Sequence, residues 1–237
     1  MIDIHNHILP ALDDGPKDIN ESIEMAKKAV QSGITDVIAT PHFIKDKYEI
    51  NKERIFNETR NLNKAISEYN LPLKVWPGQE IRISDELLDD FRSNKVFGLN
   101  ESSYILLELP SNHVPRYTER MIYDLQMEGI IPIIAHPERN LEIARTPQLL
   151  ENLVLKGAYC QLTAGNIIGM SGWRIKRFSV FLIRSHLIHL IASDAHNTGK
   201  RGFELKKAYH FIERKFGKEK VNYFNENAKR LLINKKL

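Results

Sequence analysis

Short apolar runs alternate with longer amphipathic segments from one end of the 237-residue chain to the other. The runs Ile2 to His7, Asp36 to Thr40, Leu73 to Glu80, Tyr104 to Leu109, Ile130 to Ala135, Tyr159 to Thr163 and Ile188 to Ser193 are rich in Ile, Val and Leu, and predict about seven strands. Between them apolar residues recur at helical spacing, as at Ile23, Ala26, Ala29 and Val30, or at Ile55, Leu62, Ala65, Ile66 and Tyr69. Gly33 follows the first of these segments and Gly129 follows a helix expected from Thr118 to Glu128, where a left-handed residue commonly closes a helix. In the tail, Lys218 to Leu237, the residues Val221, Phe224, Ala228, Leu231 and Leu232 predict a closing helix whose lysines face solvent. Strand and helix in repeated alternation is the pattern of βα units around a parallel sheet or barrel. No second regime of composition interrupts it, so residues 1–237 are expected to form one domain.

Composition narrows the function more than the fold. With 42% hydrophobic and 27% charged residues a sizeable core can form. The net charge of +4 and pI near 9.0 are spread along the chain, which argues against a nucleic-acid-binding arm while leaving an acidic substrate open. The opening MIDIHNHILP has no Lys or Arg before its apolar residues, and no run approaches the length of a membrane span. A cytoplasmic protein without membrane insertion is the expectation. Cys160 is the single cysteine, which excludes an intramolecular disulfide and a cysteine-based zinc knuckle.

The chemistry lies at the ends of the predicted strands. His5 and His7 close the first, His42 follows the second, Glu80 closes the third and Glu108 the fourth, His136 follows the fifth, and Asp194 and His196 follow the last. In a parallel barrel the C-terminal strand ends converge on one face, where active sites form. Residues i and i+2 of a strand point the same way, so His5 and His7 can share one ion. A carboxylate ending an apolar strand is costly unless paired or metal-bound. With Asp14 from the loop Ile8 to Ile19, or Asp13 as its alternative, the donors imply two or three divalent ions, and Glu80 can bridge a pair. Mixed imidazole and carboxylate donors suit manganese, iron or zinc alike. Asp3 suits an acceptor behind a ligand histidine or a purely structural role. Arg139 in AHPER and Arg201 in SDAHNTGKR stand beside the two late ligand clusters, and the guanidinium fork matches phosphate oxygens. A phosphate ester is the substrate class these residues point to.

The segments MIDIHNHILPALDDGP, IATPHF, PGQEI, YILLELP, IIPIIAHPERN and IASDAHNTGKRGF resemble, in order and over essentially the whole chain, the PHP family in the form of the CpsB/CapC/YwqE-type tyrosine-protein phosphatases. The resemblance implies an α/β fold, a distorted TIM-like barrel of about seven parallel strands with outer helices. It also implies a manganese-preferring site for up to three ions, held by His5, His7, Asp14, His42, Glu80, Glu108, His136, Asp194 and His196, with Arg139 and Arg201 binding the substrate phosphate. The implied activity is hydrolysis of phosphotyrosine by metal-activated water, and the implied partner is a bacterial tyrosine kinase controlling capsule or exopolysaccharide synthesis. Independently, a cysteine-based phosphatase is excluded, because position 166, six after Cys160, is Asn166 where that chemistry needs arginine. Other readings are a PHP phosphatase of a small metabolite such as histidinol phosphate, a PHP scaffold without turnover and, more weakly, a PHP nuclease. His186, His189 and His210 are expected to be structural or solvated, Trp76 and Trp173 to be packing residues, and His113 could overhang the site.

Overall fold

The computed structural model describes residues 1–237. Nine parallel strands form it: β1 (Ile2–Asn6), β2 (Asp36–Ala39), β3 (His42–Phe43), β4 (Lys74–Pro77), β5 (Glu80–Arg82), β6 (Tyr104–Glu108), β7 (Ile131–Ala135), β8 (Tyr159–Thr163) and β9 (Leu190–Ala192). The predicted second strand runs on past a kink at Thr40 and Pro41, and the predicted third breaks at Gly78 and Gln79, so the nine strands make the seven expected staves. Pro41 has no N–H to give a ladder, and its carbonyl accepts from Glu80 N across the kink at 3.1 Å. At Gly78 a Cβ would lie 2.8 Å from Ile38 Cγ2, so only glycine lets the chain turn there.

The kinks split the ladder into β1-β2-β4 and β3-β5-β6-β7-β8-β9. The gap between β4 and β6 is filled by a 3₁₀ turn at Leu99–Glu101. The barrel closes where β1 meets β9: His7 N donates to Ala195 O and Asp194 N to His5 O, both at 2.8 Å. Asp3 helps the closure by accepting from Ser193 N at 2.8 Å and Ser193 Oγ at 2.5 Å, so its role is structural.

Inside the barrel, Ile4, Ile38, Tyr104, Leu106, Ile133 and Leu190 pack with Leu231 of the last helix, the closing helix expected in the tail, which covers the N-terminal mouth. A larger apolar layer lies between the barrel and the outer helices, among them α1 (Ile19–Gln31), α2 (Lys52–Glu68), α3 (Leu87–Arg92), α4 (Thr118–Met127), α5 (Leu141–Arg145), α6 (Gln148–Leu155), α7 (Ala164–Ile168), α8 (Trp173–Arg184), α9 (Leu205–Phe216) and α10 (Lys218–Leu232). Gly33 and Gly129, at φ +79° and +76°, close α1 and α4 in the expected left-handed conformation. Two aromatic expectations fail. Tyr69 caps α2 and is exposed, and Trp173, expected to pack, is 66% exposed at the start of α8. Trp76 does pack, with its indole N–H donating to Asp36.

Candidate metal centre

The donors singled out in the sequence come to the C-terminal mouth of the barrel, eight of the nine in three overlapping groups. His5, His7, Glu80 and Asp194 form one, fully buried; His7, Asp14, His42 and His196 form a second; His42, Glu80 and Glu108 form a third nearer solvent. His136 joins through Glu80, its Nε2 lying 2.7 Å from Oε1. Glu80 Oε2 lies 3.3 Å from His5 Nε2, 3.3 Å from His7 Nε2 and 3.0 Å from His42 Nδ1, so one carboxylate faces two groups. His42 stands between groups too, with Nδ1 toward Glu80 and Nε2 toward Asp14 at 3.6 Å. Glu80 opens β5, where the sequence had it closing a longer strand.

The imidazoles are aimed from behind. His5 Nδ1 is 2.9 Å from Gln161 Oε1, His7 Nδ1 is 2.6 Å from Asp13 Oδ2, and His196 Nδ1 is 3.0 Å from the Asp194 carbonyl. With each Nδ1 engaged from behind, Nε2 of His5 and of His7 is turned toward Glu80 and Asp194, the orientation metal-ligating histidines adopt, while Nε2 of His196 meets Arg201 at 2.6 Å. Asp13 therefore sits behind His7, while Asp14 faces His42 and His196. Gly15 permits this loop: a Cβ there would lie 2.3 Å from the His7 carbonyl oxygen. His136 and Asp194 have φ of +33° and +54°, a conformation costly for residues other than glycine and found where a site imposes it.

The electrostatics suit cations. Burial pushes the Glu80 carboxyl up, but His5, His136 and His42 hold it well below the usual carboxylate range. Asp194 is likewise pushed up by burial and held low by His5, His7 and Arg139. Burial pushes His7 down, yet Asp13 raises it well above the ordinary imidazole value. Buried carboxylates thus stay ionised and draw positive charge into the cup. Glu80 Oε2 and His42 Nδ1 are buried without a hydrogen-bond partner of good geometry. Buried polar atoms are seldom left so, and divalent ions among the three groups would engage these atoms. The donor set, all nitrogen and oxygen, fits such ions.

At the rim, Arg139 reaches Asp194 Oδ2 at 2.5 Å and Thr163 Oγ1 at 3.2 Å, and Arg201 reaches Asp14 Oδ2 at 2.8 Å. Both stay partly open to solvent, with side chains 34% and 43% exposed. Two contributors escaped the sequence reading. Gln161 orients His5, and its signal was a lone amide in an otherwise apolar strand; Arg82 pairs with Glu108 at 2.8 Å, and nothing in the run Glu80–Arg82 marked it. His113 is exposed and joins none of the groups. His186 and His210 are exposed as expected, and His189 accepts a hydrogen bond from Cys160 N. Cys160 is buried in β8, and burial raises its thiol well above the ordinary value.

The family model described as capsular polysaccharide synthesis, CpsB/CapC, matches residues 1–233. The chain belongs to the CpsB/CapC family. Within it, the chain is 48% identical over 234 residues to the tyrosine-protein phosphatase YwqE of Bacillus subtilis, covering 99% of this chain and 92% of YwqE. It is 43% identical over 240 residues to a CapC protein of Staphylococcus aureus, covering 100% of this chain and 93% of that one. Among solved structures, one from a study of YwqE and of CpsB from Streptococcus pneumoniae, described as unique metal-dependent tyrosine phosphatases, superposes with a TM-score of 0.98 at 47% identity, covering 100% of this chain and 96% of that one. Beyond the CpsB/CapC family, an amidohydrolase from Mycoplasma synoviae, 11% identical with a TM-score of 0.63 over 98% of this chain and 87% of that one, shares the barrel fold.

Proposed function

We propose that this chain is a metal-dependent protein-tyrosine phosphatase, acting as one unit over residues 1–237. The observation that carries the reading is the sharing of His7, His42 and Glu80 among three donor groups beneath two rim arginines. His5, His7, Asp14, His42, Glu80, Glu108, His136, Asp194 and His196 would hold two or three ions, manganese first and iron or zinc as alternatives. Bound ions would supply Lewis acidity toward phosphoryl oxygens and acidify a water to make a nucleophile at neutral pH.

The rest is the work of the chain. Gln161, Asp13 and the Asp194 carbonyl fix the imidazole tautomers. Arg139 and Arg201 bind the phosphoryl oxygens and offset the charge that grows on them and on the leaving phenolate. No thiolate takes part, because Cys160 is buried with its thiol held protonated.

The open rim favours a protein substrate over an enclosed metabolite. Asp14, Arg139 and Arg201 all reach solvent. Together with the relatives' activity, this supports phosphotyrosine on a protein, and the family's link to capsular polysaccharide synthesis supports a bacterial tyrosine kinase of that system, in the cytoplasm, as the partner. No helix is long and apolar enough to cross a membrane. The deciding experiment reconstitutes metal-free protein with manganese and measures phosphate release from a phosphotyrosine peptide, a phosphoserine peptide and histidinol phosphate. Release from the first alone is expected. Metal-loaded, folded protein that leaves the phosphotyrosine peptide intact would refute the proposal.

A further inference from the structure

Beside the rim, the outward face of α8 is exposed and basic. Helix α8 carries Arg174, Lys176, Arg177 and Arg184 and no acidic residue. Their charges meet no carboxylate: Lys176 Nζ donates to the Ile168 carbonyl at 3.4 Å, and Arg174 lies over the Trp173 ring at 5.6 Å. On the same flank Trp173 is 66% exposed, and Phe181 and Leu141 are exposed as well. A groove of about 340 Å³ runs between α5 and α8, lined by Ala144, Pro147, Trp173, Arg174, Arg177 and Phe181 among others. Aromatic and arginine side chains side by side are what binding surfaces concentrate, while lone exposed apolar residues are ordinary.

The groove lies beside the element that carries Arg139. The turn Pro137–Arg139 packs against α8, and α5 begins two residues after Arg139. A buried chain of hydrogen bonds fixes the two together: Glu138 Oε1 accepts from Thr163 N at 3.0 Å and from Asn166 Nδ2 at 2.7 Å, and Asn166 Oδ1 accepts from Ser171 Oγ at 2.6 Å, just before Trp173. The α1 flank, beyond β9 and β1, differs in charge. There a groove of about 400 Å³ leaves His196 past Asn20, Glu21 and Glu24, and Glu24 is held by Lys27 at 2.6 Å. An acidic segment meets no lysine or arginine in the lining of that groove and meets Arg174 and Arg177 on the α8 side.

We propose that the α5–α8 groove docks an acidic stretch of polypeptide flanking the phosphotyrosine. Trp173 offers a flat face to its side chains, and Arg174 and Arg177 pair with its carboxylates. This rests on the phosphatase reading above and adds the substrate's flanking chemistry to it.

The test uses manganese-loaded protein and three substrates: a phosphotyrosine peptide flanked by Asp and Glu, the same peptide with neutral flanks, and p-nitrophenyl phosphate. Wild type should favour the acidic peptide. The double variant Arg174→Glu, Arg177→Glu should lose about 10-fold or more in kcat/KM on the acidic peptide, mostly through KM and less at high salt, while p-nitrophenyl phosphate turnover is unchanged. Trp173→Ala should lose on both peptides and not on p-nitrophenyl phosphate. Equal wild-type kcat/KM on acidic and neutral peptides, or equal losses on both in the double variant, overturns the proposal. So does a double variant that loses only binding to phosphatidylserine vesicles, which would give the face to a membrane surface. If no substrate is hydrolysed, the phosphatase reading has failed, and docking is decided by calorimetry with an acidic peptide bearing a non-hydrolysable phosphonate. Tighter binding than the neutral-flanked phosphonate, lost in the double variant, sustains docking, and equal binding ends it.

Discussion

Asp13 offers a sharp test of how the imidazoles are aimed, because its role and that of its neighbour Asp14 separate cleanly. Its carboxylate is 1% exposed and has three partners. Oδ2 faces His7 Nδ1 at 2.6 Å and accepts from His42 N at 2.9 Å, while Oδ1 accepts from Gly15 N at 2.9 Å. Asp13→Ala strands two backbone N–H groups, each at about 1–3 kcal/mol. It also frees the His7 ring, and loss of such an outer partner lowers metal affinity by about 10- to 100-fold. The two stranded N–H groups should cost the folded apo-protein about 2–6 kcal/mol.

Asp13→Asn is the more telling variant. With its oxygen at the Oδ2 position, asparagine keeps His7 and His42 but turns an amide NH₂ against Gly15 N–H. Flipped, it keeps Gly15 and opposes the other two. One orientation or the other leaves a donor facing a donor, so the isostere should fall between wild type and Asp13→Ala. Manganese titration calorimetry and thermal denaturation in chelator measure the two effects apart. A folded Asp13→Ala protein that binds manganese as tightly as wild type would refute the orienting role.

Arg139→Ala and Arg201→Ala should keep their metal content yet lose about 10- to 1000-fold in turnover of a phosphotyrosine peptide, with lysine restoring only part; metal analysis and steady-state kinetics on the same samples decide, and wild-type kinetics would return both to the role of surface charges. Cys160→Ala should keep most of its turnover, since the buried thiol stays protonated, and complete loss in folded, metal-loaded protein would mean that the nucleophile is wrongly assigned. His189 is brought down to about 4 by burial and Lys220, and its Nδ1 must be unprotonated to accept from Cys160 N. The unfolded chain then takes up the proton first, so this contribution, up to about 3 kcal/mol, is present above pH 6.5 and lost as pH falls toward 4. Denaturant melts of wild type and His189→Gln at pH 7 and 5 should converge at the lower pH, and a gap independent of pH would contradict the assignment.

The staves were legible because burial on both faces writes a parallel strand as an apolar run, as in Tyr104–Glu108 and Ile131–Ala135. The kinks were not, since Gly78 is required by close approach to Ile38, Ala39 and Leu99, all distant in sequence, and periodicity within Leu73 to Glu80 carries no trace of it. Residues in the cup could be read for an opposite reason: a charged or imidazole side chain ending an apolar run violates the local pattern, and such violations concentrate where function imposes them. Gln161 broke the pattern too, more quietly, and Arg82 did not break it at all. Trp173 shows the limit in the other direction, for an aromatic residue at a helix start reads as core until the fold leaves it largely exposed, with the Arg174 guanidinium over its ring.

The position of the site in the barrel follows from the same contacts. His5 and His7 leave β1, Asp194 and His196 follow β9, and these elements meet only at the seam where the first strand pairs with the last. Asp3 and Ser193, 190 residues apart, tie that seam from beneath. The donors therefore assemble only when the barrel shuts, and an unfolded chain offers no comparable cup. Whatever ion the cup holds is bound by the closed barrel in preference to the open chain, so binding and closure are linked, and each ion bound there draws the two ends of the barrel together.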